Sequence, residues 1–248
     1  MKIFQRSAAK AEKHSEIRRR LFCFPYAGAG ASIFRTWPDL LPADVELCVP
    51  GLPGRDAEIG KPPVAEMTSL VDLLSEQIVP RLTLPYALFG HSMGAFVAFD
   101  LAHEILRRNL RPPSHLFVAA QRGARLPYPE EPIFDLPEES FLSAVVARYD
   151  SIPKAIMEQA EFMKLLLPTL RADITLVEDY RYRAAGPLGC PIIVFGGLED
   201  RRVNRSQLEA WSVETFARCS MHLLPGGHFF LNSARAELLA QICRELNS

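Results

Sequence analysis

Short apolar runs alternate along the chain with longer segments in which apolar residues recur at helical spacing. Continuously apolar runs of this length are typical of strands that are covered on both faces of a sheet. The predicted strands are Leu21–Tyr26, Val45–Val49, Tyr86–Phe89, His115–Ala120, Ile192–Phe195 and Met221–Leu224. The predicted helices between them are Ser69–Arg81, Ala95–Arg108, Arg205–Phe216 and Ser233–Leu246. This alternation predicts an α/β fold, with a mostly parallel sheet that has helices on both sides.

The alternation stops between about 124 and 183, where a segment rich in proline and acidic residues leads into two predicted helices. These are Glu138–Tyr149 and Lys154–Leu167, and we expect Pro168 to end the second. The insertion is either a peripheral hairpin that only packs or a lid over an active site. We therefore predict a polar N-terminal extension, 1–20, and a single domain, 21–248, with a helical lid insertion at about 124–183.

Composition narrows the class of protein. Of the 248 residues, 48% are hydrophobic and 23% are charged, as in ordinary globular domains, and the net charge of -1 offers no general attraction to nucleic acid or anionic membranes. The first twenty residues lack the apolar core of a secretory signal, and five scattered cysteines without a C-x-x-C pair indicate reduced thiols and not a zinc site. We expect a cytoplasmic protein without a membrane span.

The segment Gly90-His91-Ser92-Met93-Gly94 fits the pattern G-x-S-x-G. It follows a predicted strand and opens a predicted helix, which is the setting of a nucleophile elbow. We expect this turn to hold Ser92 above the sheet at the positive end of the helix, with glycines where side chains would collide. The backbone N–H of Met93 would then face a developing oxyanion. His91 is expected to point away from the serine and to pack.

A serine hydroxyl needs a base at neutral pH, and in this arrangement an acid and then a histidine follow the serine along the chain. His228 lies in a glycine loop between the last predicted strand and helix, and we expect it to be the base. His222, inside a predicted strand, is the weaker candidate. The acid, Asp200 or Glu199, follows the strand Ile192–Phe195 and would fix the tautomer of the imidazole.

The second oxyanion donor is expected from the loop Pro25-Tyr26-Ala27-Gly28-Ala29-Gly30, which follows the first long strand. We take the backbone N–H of Ala27 as this donor, with Tyr26 as the alternative. A glycine-rich turn that binds nothing is the other interpretation. A nucleotide site is less favoured, because the third glycine of G-x-G-x-x-G and a Walker lysine are missing.

At these positions the chain resembles the type II thioesterases, the stand-alone editing enzymes of polyketide and nonribosomal peptide synthesis, to which the medium-chain thioesterase of animal fatty-acid synthesis is related. The similarity covers nearly the whole chain after about residue 20. It is carried by LFCFPYAGAG, Phe34-x-x-Trp37, Leu52-Pro53-Gly54-Arg55, FGHSMGAFVAFDLA, Leu167-Pro168-x-Leu170-Arg171-Ala172-Asp173, GGLED and GGHFFL. The resemblance implies an α/β-hydrolase fold with the catalytic triad Ser92, Asp200 and His228, and it favours Asp200 over Glu199.

The resemblance also implies a reaction and a partner. Ser92 would attack an acyl thioester on the phosphopantetheine arm of an acyl or peptidyl carrier protein, and water would then release the acid; no cofactor and no metal are expected. Carriers are typically acidic, so a basic docking patch is expected beside the site, with solvated surface arginines as the other interpretation. The candidates for this patch are Arg122, Arg125, Arg201, Arg202 and Arg205.

Three other functions stay open at this point. A carboxylesterase or lipase for small molecules would use the same three side chains. An acyltransferase or cyclase would pass the acyl group to an amine or hydroxyl instead of water. A non-catalytic binding protein of the same fold is disfavoured, because binding alone would not require a serine, an acid and a histidine together.

Overall fold

A computed structural model describes residues 1–4, 16–149, 160–183 and 186–247. In these ranges seven strands form one sheet: β1 (Lys2–Phe4), β2 (Arg19–Phe24), β3 (Val45–Val49), β4 (Tyr86–His91), β5 (Leu116–Ala119), β6 (Ile192–Gly197) and β7 (Cys219–Leu224). Their order is β1-β3-β2-β4-β5-β6-β7. β1 runs antiparallel to β3, and the other neighbours are parallel. The mostly parallel sheet is as predicted.

The α-helices of the described ranges lie between these strands or follow the last one. They are α1 (Met67–Ile78), α2 (Met93–Arg107), α3 (Glu138–Tyr149), α4 (Ala160–Glu178), α5 (Arg205–Glu209), α6 (Phe230–Ser233) and α7 (Arg235–Leu246). Within the same ranges, no helix is long and apolar enough to span a membrane.

The central strands β4 and β5 are buried at every position because each face of the sheet is covered. Successive side chains of a strand point to opposite faces. Leu88 of β4 packs in one core with Leu74 of α1 and Phe99 of α2. Its neighbour Phe89 packs in a second core with residues of α7 and with the indole of Trp37, whose ring centroid lies 5.0 Å away.

The second helix of the lid insertion differs from the prediction. Residues 154–159 of the predicted helix Lys154–Leu167 lie outside the described residues, and α4 does not end before Pro168 but continues through it to Glu178. A proline inside a helix costs about 3 kcal/mol. Continuing the helix buries Leu170 and Ile174 against α3, and each such side chain stabilises by about 2 kcal/mol, so that packing outweighs the proline.

Two smaller differences lie elsewhere. β1 falls within the predicted polar extension 1–20, and its three residues pair antiparallel with β3. A run of three residues is too short for a hydrophobic pattern to reveal it. The helix predicted at Arg205–Phe216 ends at Glu209 and gives way to a 3₁₀ turn, Ala210–Glu214. In that turn the buried indole of Trp211 donates to the carbonyl oxygen of Gln121 at 2.8 Å.

Candidate active site

Ser92 lies between the end of β4 and the start of α2, in a backbone conformation that few residues adopt. Its φ of 53° and ψ of -118° belong to a strained turn. The flanking glycines are required by close approach: a Cβ at Gly90 would lie 1.9 Å from the carbonyl oxygen of Gly94, and one at Gly94 would lie 2.2 Å from that of Phe24. The sequence therefore forms the predicted elbow.

Three side chains that are distant in the chain meet at this elbow. His228 Nε2 lies 3.0 Å from Ser92 Oγ, and His228 Nδ1 lies 3.0 Å from Asp200 Oδ2. Because an ionised carboxylate only accepts hydrogen bonds, Nδ1 donates to Asp200 and Nε2 is left to accept from the serine hydroxyl. This arrangement can deprotonate Ser92 during attack on a carbonyl carbon.

Asp200 is held by more than the imidazole. The backbone N–H groups of Arg202 and Val203 donate to its Oδ1 at 2.8 and 3.2 Å. Burial raises the pKa of the Asp200 carboxyl, but the hydrogen bond from His228, the charge of that ring and the two backbone donors together hold the pKa below its ordinary value. The carboxylate therefore stays ionised next to the imidazole.

His91 is fully buried next to the serine, and its Nε2 donates to the backbone carbonyl oxygen of His228 at 2.8 Å. Burial, followed by the charge of His228, lowers the pKa of His91 to about 3, so the ring is neutral. The ring also packs against Phe229 and Phe230. His91 therefore packs as expected, and it also donates a hydrogen bond to the loop that carries His228.

Both expected oxyanion donors lie close to the serine. Met93 is the first residue of α2, and the N–H groups of a first helical turn have no acceptor within the helix. Ala27 lies in the turn after β2 and lines the same cavity as Ser92 and His228. The N–H groups of the next two residues are engaged, Gly28 with Asp173 and Ala29 with the carbonyl oxygen of Tyr26.

A family model of the thioesterase domain matches residues 19–247. The chain belongs to the thioesterase family. The gramicidin S biosynthesis protein GrsT of Aneurinibacillus migulanus is 36% identical to this thioesterase over 236 residues, which are 95% of this chain and 92% of GrsT.

Solved structures agree with this membership. RedJ, a thioesterase from the prodiginine pathway of Streptomyces coelicolor, superposes with a TM-score of 0.85 at 34% identity, covering 92% of this chain and 86% of RedJ. The type II thioesterase BorB from the borrelidin cluster gives a TM-score of 0.83 at 28% identity, covering 94% of this chain and 95% of BorB. The α/β-hydrolase fold and the resemblance to type II thioesterases are therefore confirmed.

The alternative candidates for base and acid lie away from the serine of this thioesterase. Glu199 is exposed to solvent, whereas the Asp200 side chain is only 1% exposed. His222 lies on β7, where its Nε2 is 3.6 Å from a carboxylate oxygen of Glu245. Of the two histidines considered from the sequence, His228 is the one that contacts Ser92.

The arginines expected to dock a carrier differ in their surroundings. Arg122 is only 3% exposed and its guanidinium stacks over Phe96 and Tyr128, so our expectation of a surface position for it is wrong. Three others form ion pairs within the thioesterase: Arg125 with Glu214, Arg202 with Glu130 and Arg205 with Glu209. Arg201 is exposed. The cluster is thus a mixture of buried, paired and solvent-facing groups.

Two small cavities reach Ser92 and His228 from different sides. The first has a volume of about 20 Å³ and is mainly apolar, lined also by Tyr26, Ala27, Val145, Leu170, Ile174 and Phe229. The second has a volume of about 30 Å³ and a mixed lining, in which Pro129, Val177 and Val203 stand beside polar residues that include Gln121, Glu130, Arg202 and Gln207. Each has room for one or two water molecules. The lid insertion supplies residues to both.

Arg55 and Asp173 both lie in segments that carry the family resemblance, but neither has a role that the sequence predicts. In the thioesterase they form an ion pair next to the loop of Ala27. Their separation of 118 positions explains why spacing could not reveal the contact. The only signal available from the sequence was that each ends a motif without an assigned role.

Proposed function

We propose that this thioesterase hydrolyses acyl thioesters on the phosphopantetheine arm of acyl or peptidyl carrier proteins, and so removes aberrant or stalled acyl groups from polyketide or nonribosomal peptide synthesis. The observation that carries the proposal is the continuous contact from Ser92 through His228 to Asp200, with 3.0 Å at each step. The relatives GrsT, RedJ and BorB are named for the biosynthesis of gramicidin S, prodiginine and borrelidin, which supports a biosynthetic role.

The first half of the proposed reaction is acylation. His228 accepts the hydroxyl proton of Ser92 through Nε2 while Oγ attacks the thioester carbonyl carbon. The tetrahedral oxyanion accepts hydrogen bonds from the N–H groups of Met93 and Ala27, and each such donor contributes about 3 kcal/mol in comparable sites. When the carbon–sulfur bond breaks, His228 returns the proton to the thiolate of the carrier arm, and a serine ester remains.

The second half is hydrolysis of this ester. A water molecule gives its proton to His228 Nε2 and attacks the ester carbonyl carbon, and the same two N–H groups stabilise the second oxyanion. His228 then returns the proton to Ser92 Oγ as the acid leaves. Asp200 stabilises the imidazolium in both halves, and its lowered pKa keeps it ionised throughout.

The two cavities suggest where the substrate lies. The apolar cavity, lined by Val145, Leu170 and Ile174 from the lid insertion, suits an acyl chain. The other cavity, whose mixed lining includes the polar side chains of Gln121 and Arg202, suits the amides of the phosphopantetheine arm. We propose a carrier protein as the macromolecular partner on this side of the site, where the exposed Arg201 also lies close to Asp200 in the chain.

The test compares wild type with Ser92→Ala on acetyl, butyryl and hexanoyl carrier proteins, with matched oxygen esters of each acid. We expect hydrolysis of the carrier thioesters to exceed that of the oxygen esters, and Ser92→Ala to lose at least about a thousandfold in kcat. Wild-type activity of Ser92→Ala would refute the mechanism. A preference for oxygen esters indicates an esterase, and mass spectrometry that finds amide or ester products identifies an acyltransferase or cyclase.

A further inference from the structure

A buried ion pair joins the lid insertion to the loop that carries the proposed second oxyanion donor. Arg55 donates from Nη1 to Asp173 Oδ2 and from Nη2 to Asp173 Oδ1, both at 2.6 Å. The two side chains are 11% and 2% exposed. A two-pronged contact of this kind between planar groups fixes orientation as well as distance. Asp173 lies on α4, so the pair connects a lid helix to the segment after β3.

The same two side chains also hold the backbone of the loop on either side of Gly28. The N–H of Gly28 donates to Asp173 Oδ2 at 2.7 Å, and Arg55 Nη1 donates to the carbonyl oxygen of Ala29 at 3.1 Å. Between these contacts the loop forms a turn, closed by the Ala29 N–H on the carbonyl oxygen of Tyr26 at 3.1 Å. The pair is therefore bonded to the loop backbone through Asp173 Oδ2 and Arg55 Nη1, whereas Arg55 Nε is buried without a hydrogen-bond partner among the described residues.

The turn has the geometry that the ion pair requires. Gly28 has a φ of +77°, and Ala27 is not among the residues with positive φ, which together define a type II turn over Tyr26–Ala29. Rotation of the peptide between Ala27 and Gly28 would convert it to type I and exchange the positions of its N–H and carbonyl oxygen. The Ala27 oxygen would then face the Asp173 carboxylate, acceptor against acceptor. Asp173 therefore opposes this rotation.

The N–H of Ala27 belongs to the preceding peptide, which this rotation leaves in place. Its position depends instead on where the whole turn is held, and the hydrogen bonds from Gly28 to Asp173 and from Arg55 to Ala29 fix the turn against α4. Leu170, one helical turn before Asp173 on α4, lies against Gly28, since a Cβ there would be 3.1 Å from its Cδ1. Arg55 also balances the Asp173 charge, which would otherwise oppose negative charge on a nearby carbonyl oxygen.

We propose that Asp173 and Arg55 are positioning residues, which hold the turn Tyr26–Ala29 so that the Ala27 N–H faces the oxyanion. The oxyanion hole is then complete only while α4 is seated on this turn. The inference rests on the proposed function, because it presupposes attack by Ser92 and stabilisation by Ala27.

The first test is Asp173→Asn, which keeps the size of the side chain and removes its charge. We expect kcat for an acyl thioester to fall about 30-fold, while KM changes less than about twofold, because the loss is confined to the transition state. The matched control is Glu46→Gln. Glu46 pairs with Arg20 at 2.6 Å with side chains 19% and 16% exposed, at the opposite end of the strands from Ser92. The control should keep its kcat within about twofold.

A second readout separates positioning from loss of folded enzyme. Butylboronic acid adds to a serine hydroxyl: the Ser92 oxygen forms the bond to boron, its proton passes to His228, and the tetrahedral boronate is negatively charged. In Asp173→Asn the Kd of this adduct should weaken by the same factor as kcat/KM falls. A merely structural role would lower the concentration of active sites and leave the Kd unchanged.

If Asp173→Asn does not fold, Arg55→Lys tests the positioning role instead. It keeps the positive charge but cannot form both of the parallel hydrogen bonds to Asp173. We expect about a fivefold fall in kcat with a matching change in boronate Kd. Wild-type kcat in the folded variants, or a lower kcat with unchanged boronate Kd, overturns the inference. Ser92→Ala, measured alongside, separates the hypotheses: if it is active the proposed function fails, and if it is inactive while Asp173→Asn is fully active only the positioning role fails.

Discussion

His91 precedes Ser92 in the chain, yet its hydrogen bond goes to the backbone of the loop that carries the proposed base. Burial keeps the ring neutral, because Nδ1 of His91 is buried without a hydrogen-bond partner in the described part of the chain, and a second proton would add an unpaired donor. Protonation of His91 is therefore coupled to unfolding.

This coupling predicts how stability depends on pH. The His91 pKa is about 3 in the folded chain and about 6.5 when unfolded. Below about pH 6.5 the unfolded chain binds a proton that the folded chain does not, so His91 lowers the free energy of unfolding by about 1.4 kcal/mol per pH unit as pH falls. His91→Gln removes this contribution. Denaturant unfolding of both proteins between pH 7 and 4.5 should give curves that converge as pH falls.

Comparing the two proteins also controls for a second histidine with a lowered pKa. His103, whose pKa burial lowers to about 4, is present in both proteins, so its contribution cancels in their difference. A difference in the free energy of unfolding that stays constant over this pH range would contradict the role of His91.

At the residue scale, Ser92, Asp200 and His228 could be chosen from the sequence because each lies in a short motif that is recognisable by itself. Ser92 is in a five-residue motif, and Asp200 and His228 each follow a strand within a glycine loop. The contacts that hold them could not be predicted. The backbone donors to Asp200 and the hydrogen bond from His91 depend on loop conformation, which residue types alone do not specify.

At the scale of elements, the continuity of α4 shapes the site. It passes through Pro168, so that Leu170, Asp173 and Ile174 lie on one continuous helix over the loop of Ala27. The prediction that Pro168 ends the helix rested on a local backbone preference, and tertiary packing against α3 overrides that preference. The existence of the elements could be predicted from their apolar pattern, but the end of this one could not.

Ile174→Ala should alter acyl preference, because Ile174 lines the apolar cavity. Removing its side chain adds room for a longer chain, and the ratio of kcat/KM for hexanoyl over acetyl thioesters should rise about tenfold. The matched control is Leu176→Ala on the same helix, since Leu176 is 2% exposed but packs in the core beside α2. Equal shifts in both variants would show that the effect comes from general destabilisation.

At the scale of the whole molecule, a net charge of -1 makes any attraction to an acidic carrier a local property. The exposed Arg201 and Arg205 remain candidates for this docking, whereas Arg122 is buried beneath the lid insertion. The sequence could place these arginines at one end of the sheet, because strand order and direction follow from the fold class. It could not reveal which of them the lid residues cover or pair.

Arg201→Glu and Arg205→Glu should each raise KM for an acyl carrier protein about threefold at low salt, and less at high salt, because exposed charges act mainly on encounter. KM for the same acyl group on a small thiol should not change. Arg107→Glu is the control: its side chain is 72% exposed and paired within α2, as Arg205 is 69% exposed and paired within α5. Equal KM changes for carrier and small thiol would rule out docking.

The cavities beside Ser92 each have room for only one or two water molecules. A bulky growing intermediate must displace well-packed lid side chains before its carbonyl reaches the hydroxyl, whereas a two- or three-carbon fragment needs little rearrangement. For the proposed function we therefore expect short acyl units to be hydrolysed faster than elongating products, without any group dedicated to recognising the difference.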